Sequence, residues 1–275
     1  MTWFVRLIGI ISFIFYMQAF ADVNDASVKV EWGYKGNKGP ARWGQLSKAF
    51  SQCSLGKEQS PINIQNRTGE DPNKLTIHYE KAPMQISHDG RIDLMLGNTE
   101  TIVNNGHTIQ LDYQGNARNE MINYGGKDYS LVQFHFHTPS ETQIHRQSFP
   151  LEIHFVHQSK NGRAAVVAVL VKAGAANTSL QTIIDHLPKE KNNPKAIGSA
   201  DIAAENLLPA RHHFYSFDGS LTTPPCTEGL QWLVMADTIT ATPAQILEMR
   251  KAIGADNARP VQPLNKRDIL YSKGT

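Results

Sequence analysis

The chain has 275 residues, 40% of them hydrophobic and 19% charged, with a formal net charge of +2. These are the proportions of an ordinary soluble globule, long enough for one large domain, although length alone also allows two small ones. The balance falls to about +1 once Arg6 is assigned to the leader described next, so no strongly basic face is implied and no nucleic-acid partner is expected.

Arg6 precedes an apolar stretch from Leu7 to Met17, and Ala19-Phe20-Ala21 supplies the small residues of a cleavage site. That order reads as a secretory signal peptide over residues 1–21, cut before Asp22, leaving residues 22–275 as the mature domain. An uncleaved anchor is the plainer alternative, but the run is too short to span a bilayer. No second long apolar run follows, so no membrane span is expected in the mature chain. The expected location is therefore outside the cytoplasm: the periplasm in a Gram-negative bacterium, the medium otherwise. The two cysteines, Cys53 and Cys226, both fall in the mature part. An oxidising compartment favours their pairing. A disulfide closing so long a loop stabilises by roughly 5 kcal/mol on chain-entropy grounds.

From Gln85 onward, short alternating segments are separated by Asp-Gly, Gly-Asn, Asn-Gly and Gly-Gly turns. This pattern predicts strands over Thr101–Asn104, Thr108–Tyr113, Tyr129–His137, Leu151–His157, Ala165–Lys172, Arg211–Phe217 and Leu230–Met235. A helix is predicted over Ser179–Leu187, where Leu180, Ile183, Ile184 and Leu187 fall at helical spacing. A second starts at the cap Thr242 with Pro243 in its first turn and stops at Gly254. No break in composition divides these segments. The expected fold class is α+β, mainly β: a single domain on a large, mostly antiparallel twisted sheet with peripheral helices.

Five of the eleven histidines (His135, His137, His145, His154 and His157) crowd into a stretch where an even spread would put about one. Strand parity puts Leu131, Gln133, His135 and His137 on one face and Val132, Phe134 and Phe136 on the other. Two imidazoles two residues apart lie roughly 7 Å apart at the alpha carbons, a spacing that suits two ligands of one metal. The plainer reading is a pair of surface histidines. On the next strand, Glu152, His154 and Val156 share a face. His154 therefore completes a three-histidine site if the strands are neighbours, leaving a fourth metal position for water. His157 points the opposite way and reads as structural unless a bulge turns it. Gln133 and Glu152 each precede a candidate ligand by two residues on its own face, where groups that orient an imidazole belong. Glu152 could equally form a plain ion pair with a buried histidine.

Gln133-Phe134-His135-Phe136-His137 followed by Glu152-Ile153-His154 resembles the zinc-binding core of the alpha-class carbonic anhydrases. The resemblance continues through Trp32-Gly33-Tyr34, Gly39-Pro40, Gln59-Ser60-Pro61-Ile62-Asn63-Ile64, Asn104-Asn105-Gly106-His107 and Ser220-Leu221-Thr222-Thr223-Pro224-Pro225. It closes with Asn257-Ala258-Arg259-Pro260-Val261-Gln262-Pro263-Leu264-Asn265, so it covers about Val30 to Arg267 in order.

The resemblance implies the fold of that family, Zn2+ on His135, His137 and His154, and reversible hydration of CO2 to bicarbonate and a proton. Zinc-bound hydroxide attacks the CO2 carbon, a chemistry for which carbonic anhydrase is the standing example. It further implies that Thr222 and Glu141 orient the hydroxide, residues that would otherwise read as turn positions. Val156, Val166, Leu221, Leu230 and Trp232 become the dry wall of a CO2 pocket. His107 becomes a proton shuttle, with Tyr34, Asn105 and Gln110 holding the waters between. Several relatives carry asparagine in place of Gln110, and strand parity separates Gln110 from His107 unless a twist or bulge intervenes. Cis peptide bonds before Pro61 and Pro225 are implied as well, and exported relatives supply the analogy for a homodimer.

Two other readings stand beside this one. A zinc esterase or other hydrolase is disfavoured because no obvious carboxylate base accompanies the ligands. A non-catalytic carbonic-anhydrase-like binding module is disfavoured because all three ligand histidines are present.

Overall fold

The computed structural model describes residues 30–79, 99–114, 120–192, 195–196, 202 and 204–274. The expected leader over residues 1–21 lies outside them. By internal contacts the chain divides into Met1–Glu31 and Trp32–Thr275, and the second unit carries everything below.

Among the described residues the strands are β1 (Asn63–Ile64), β2 (Gly69–Glu70), β3 (Leu75–Tyr79), β4 (Thr99–Asn104), β5 (Ile109–Gln114), β6 (Glu120–Tyr124), β7 (Lys127–His137), β8 (Gln143–Ile144), β9 (Leu151–Gln158), β10 (Ala164–Ala173), β11 (Lys195–Ala196), β12 (Phe214–Ser220), β13 (Glu228–Met235), β14 (Ile239–Ala241) and β15 (Leu270–Ser272). One sheet runs in the order β11-β4-β5-β7-β9-β10-β13-β12-β15-β2, with β6 and β3 attached beside β7 and β14 beside β10. Within it pairing is antiparallel except where β10 meets β13 and β14 and where β15 meets β2, and β1 and β8 form a separate parallel pair. The expected large, mostly antiparallel sheet is therefore present, in mixed form. A chain order that returns β13 to lie parallel to β10 leaves no local mark in the sequence.

Period-two alternation sorts the apolar side chains onto two faces. Phe134 and Phe136 of β7, Ile153 and Phe155 of β9, and Val167 and Val169 of β10 share the larger core. Val156, Val166, Leu230 and Trp232 lie in a second cluster on the opposite face. Covered on both sides, β10 reads as a nearly continuous apolar run, whereas β9 is almost as fully buried but carries Glu152, His154 and His157 among its apolar residues. Each fully buried Phe, Leu or Val stabilises the fold by about 1.5–3 kcal/mol.

The two longer helices among the described residues flank this sheet: α1 (Thr178–Asp185) and α2 (Pro243–Ile253). The Asn177 side chain caps α1, which ends two residues short of the predicted Leu187. The second helix starts after Thr242 and stops at Gly254 as expected; Thr242 and Gln245 form a reciprocal capping box, and Gly254 takes the left-handed conformation at φ 89°.

Three expectations shift. The strand predicted over Arg211–Phe217 is β12, which starts at Phe214. Its partner β13 ends at Met235, opposite Phe214, so residues 211–213 run past that end. Leu131 does not share the histidine face: an extra residue at Val132 interrupts the β7–β9 register between Leu131 and Gln133, and Leu131 turns into the larger core. Strand parity does not reach His107, because β5 begins only at Ile109 and not at the predicted Thr108. Peptide bonds before Pro61 and Pro225 are cis, as the resemblance implied, and the Thr138-Pro139 bond is cis as well.

Candidate metal centre

The register of the central strands assembles three imidazoles. His135 of β7 lies directly opposite His154 of β9, and His137 follows two residues along β7. Their donor nitrogens all lie within 4.8 Å of one another. Each ring has one nitrogen held by the protein. His135 Nδ1 lies 2.8 Å from Gln133 Oε1, His137 Nδ1 lies 2.9 Å from the Asn257 carbonyl oxygen, and His154 Nε2 lies 2.9 Å from Glu152 Oε1. These oxygens accept, so the tautomers assigned from the network place the proton there and leave a lone pair on the other nitrogen of each ring. His137 Nε2 is buried with no hydrogen-bond partner. A lone pair so placed is unfavourable by itself and fits a metal ligand. Burial holds His135 well below the ordinary imidazole pKa, helped by the other two rings, and burial also lowers His137. Three neutral imidazoles, with no thiolate or carboxylate among the donors, are a zinc set that leaves room for a water.

Glu152 is fully buried on β9 and does more than orient His154. Its Oε2 accepts the backbone N–H groups of Glu141 and Thr142, both at 2.7 Å. Burial, the largest influence, pushes its pKa up, but His154 and Thr142 outweigh it and hold the carboxyl below its ordinary range. Glu141 is equally buried. Its Oε1 accepts from the Arg259 N–H at 2.7 Å and lies 3.5 Å from His137 Nδ1. Burial raises its pKa to about 7 against the lowering effect of His154, the Arg259 N–H and Thr222. A divalent cation nearby would draw that value down. The Thr222 hydroxyl faces the carboxylate closely enough to favour its charged form, although Glu141 Oε2 closes no hydrogen bond of normal geometry.

The apolar wall forms as a row across three strands: Val156 opposite Val166, and Val166 opposite Trp232. Leu230 joins on the face of Trp232, and Leu221 packs against the same cluster. The Trp232 indole stands edge-on to His154 at 5.0 Å and donates to the Ser220 carbonyl at 3.0 Å. A side chain at Gly219 would strike that indole at 2.6 Å, so glycine is what admits the ring.

His107 sits in a turn between β4 and β5. Asn105 Oδ1 accepts the N–H groups of His107 and Thr108, at 3.0 and 2.9 Å, and Gly106 takes φ 86°. Strand parity therefore does not govern the relation of His107 to Gln110, and no bulge is needed. The His107 ring stacks on Trp32, with centroids 3.8 Å apart and an interplanar angle of 8°. Gln110 lies directly opposite His135, on the ligand face of the sheet, and accepts from Asn105 Nδ2 at 3.3 Å. Half-buried Tyr34 packs edge-on against Trp32 and Trp43. Its phenol is raised well above its ordinary pKa, chiefly by burial and then by Glu141. His157 faces away, buried, with Nε2 2.7 Å from the Tyr79 hydroxyl. Cys53 and Cys226 form a disulfide with alpha carbons 5.0 Å apart.

Sequence reasoning gave no role to Asn257, Arg259 or Asp112. Asn257 orients His137 with its carbonyl, and its side-chain amide donates to the carbonyls of His107 and Phe136 at 3.0 and 2.9 Å. Backbone groups do this work at His137 and Glu141, and they leave no residue signature beyond the motif that contains them.

Comparison with known proteins accords with this arrangement. The family model described as eukaryotic-type carbonic anhydrase matches residues 38–273. A carbonic anhydrase of Neisseria gonorrhoeae is 40% identical over 239 residues, covering 87% of this chain and 87% of that protein. One from Nostoc sp. is 39% identical over 245 residues, covering 88% of this chain and 86% of the other. Among solved structures, the alpha-carbonic anhydrase from Thermovibrio ammonificans, in complex with the inhibitor sulfanilamide, matches with a TM-score of 0.79 at 36% identity. That match covers 88% of this chain and 100% of the other.

Proposed function

The chain belongs to the eukaryotic-type, or alpha, carbonic anhydrase family, and on that premise we propose that it hydrates CO2 reversibly with zinc held by His135, His137 and His154. The observation that carries the reading is the buried, unpartnered Nε2 of His137 beside two rings whose remaining nitrogens converge with it. When bound, zinc supplies a Lewis acid that makes a water molecule acidic enough to act as a nucleophile near neutral pH. Gln133, Asn257 and Glu152 fix the three rings in the required tautomers. Thr222, turned toward Glu141, keeps an acceptor lone pair with which to aim the attacking oxygen, an orientation effect. Val156, Val166, Leu221, Leu230 and Trp232 give apolar CO2 a dry surface beside the histidines. His107 carries the proton outward through waters held by Tyr34, Asn105 and Gln110.

Export belongs to the same proposal, with residues 1–21 as leader and 22–275 as the mature domain. The disulfide favours an oxidising compartment, and among the described residues no helix is long and apolar enough to cross a membrane.

Stopped-flow CO2 hydration on the mature protein, before and after zinc chelation and after zinc return, tests the assignment. Activity should vanish with the metal and come back with it. Full activity without zinc, or full zinc content without activity, would overturn it.

A further inference from the structure

Asp112 is a half-buried carboxylate on β5 that the readings above leave without a role. It lies directly opposite Gln133, as Gln110 lies opposite His135. Directly opposed residues in an antiparallel pair share a face, so Asp112 and Gln110 stand on the ligand side of the sheet. Asp112 Oδ1 accepts from Gln110 Nε2 at 2.6 Å. That bond fixes which way the Gln110 amide points, because a carboxylate only accepts and so selects the NH2 end. Gln110 Oε1 is thereby turned to Asn105 Nδ2 at 3.3 Å. Asn105 Oδ1 is turned in consequence to the backbone N–H groups of His107 and Thr108. Each amide in this file can satisfy both neighbours in only one orientation, on which the acceptor at Asp112 and the His107 and Thr108 N–H groups at the other end agree.

We propose that Asp112 is a positioning residue for proton transfer, acting through Gln110 and Asn105 to hold the His107 turn and the polar wall beside it in one arrangement. The inference rests on His107 as the shuttle. Asp112 itself neither touches the reacting atoms nor lies beside a ligand in sequence. Its loss should therefore slow proton export while leaving CO2 chemistry intact, a split between kcat and kcat/KM that general destabilisation does not produce.

The test uses zinc-loaded full-length mature enzyme, with kcat and kcat/KM measured in weak buffer and again with added imidazole, for wild type, Asp112→Ala, Asp112→Asn and His107→Ala. Asp112→Ala should lower kcat in weak buffer by about five- to tenfold, part of the ~100-fold or more that a positioned proton-transfer group contributes. Its kcat/KM should hold, and imidazole should restore the rate. Asp112→Asn, whose Oδ1 still accepts from Gln110, should keep most of kcat. Should Asp112→Ala fail to fold, Asp112→Leu, close in size and unable to accept from Gln110, breaks the same link and should show the same deficit. A wild-type kcat for the link-breaking variant beside a slow His107→Ala overturns the positioning role and leaves the shuttle standing. An equal fall in kcat/KM, or an Asp112→Asn as slow as Asp112→Ala, overturns it too. A His107→Ala enzyme at wild-type rate removes the shuttle reading and this inference with it.

Discussion

Glu152 Oε1 lies 2.9 Å from His154 Nε2, two residues along the same strand, while Oε2 of that carboxylate accepts the N–H groups of Glu141 and Thr142. One side chain thus sets the tautomer of His154 and ties down the segment that bears Glu141.

Glutamine cannot do both jobs. An amide offers one accepting end, so Glu152→Gln must aim its NH2 either at two N–H donors or at the protonated nitrogen of His154. Zinc affinity should fall about 10- to 100-fold, the usual effect of losing a partner that orients a ligand. Competition against a chelator of known affinity measures it, and an unchanged zinc constant would contradict the role assigned to Glu152.

Thr222→Val keeps the shape of the side chain and removes the hydroxyl that faces Glu141. If that hydroxyl aims the attacking oxygen, kcat/KM for CO2 should drop about a hundredfold, with zinc content unchanged. Loss of zinc in step with loss of activity would mean that the residue supports the metal site rather than the attack.

The three-histidine cluster was legible because strand parity is a local, period-two property. His135, His137 and His154 needed only two strands to be neighbours, which they are. Leu131 was misplaced because the extra residue at Val132 shifts the phase, and a bulge carries no composition that marks it. The mistaken parity between His107 and Gln110 came from extending the strand predicted from Thr108 back to His107. In the fold Asn105 captures the N–H of Thr108, and Gly106 takes a left-handed turn there. The roles of the Asn257 carbonyl and the Arg259 N–H could not be read at all, since every residue but proline has both groups. The resemblance flagged the motif that contains them without saying what it does.

His157 predicts a pH dependence of stability. Burial lowers its pKa to about 3 from an ordinary value of 6.5. The unfolded chain therefore binds a proton that the folded chain refuses between those values, so stability is present above about pH 6.5 and falls as pH drops toward 3. The loss approaches about 1.4 kcal/mol for each pH unit within that window. His157→Phe removes this titration and also the bond to Tyr79. At pH 8 the variant should be less stable than wild type by about 1–3 kcal/mol. The gap should narrow or reverse by pH 4.5. The variant should also retain zinc, because His157 faces away from the ligands. Urea unfolding midpoints at several pH values, with metal analysis on the same samples, check both points, and a gap independent of pH would show that His157 titrates normally in the fold.

The disulfide ties the turn that bears Thr222 to the segment whose carbonyl anchors Arg259. Cys226 follows Thr222 by four residues, and the Cys53 carbonyl accepts from Arg259 Nη2 at 3.0 Å, while the Arg259 N–H holds Glu141 at 2.7 Å. Cys53 and Cys226 lie 173 residues apart in sequence, so the cross-link removes much of the unfolded chain's freedom and contributes roughly 5 kcal/mol on chain-entropy grounds. Reduction with a non-chelating phosphine should lower the melting temperature by roughly 10–20 °C for a domain of this size. It should also reduce hydration activity by loosening Thr222 and Glu141 together. Zinc should stay bound under mild conditions, because its ligands sit on central strands whose ladders open last. Thiol titration verifies the reduction, and the same sample is then melted, assayed and analysed for zinc. An unchanged melting temperature after verified reduction would remove the cross-link from the stability of the fold. A lowered one with full activity would show that the turn bearing Thr222 keeps its order without the bond.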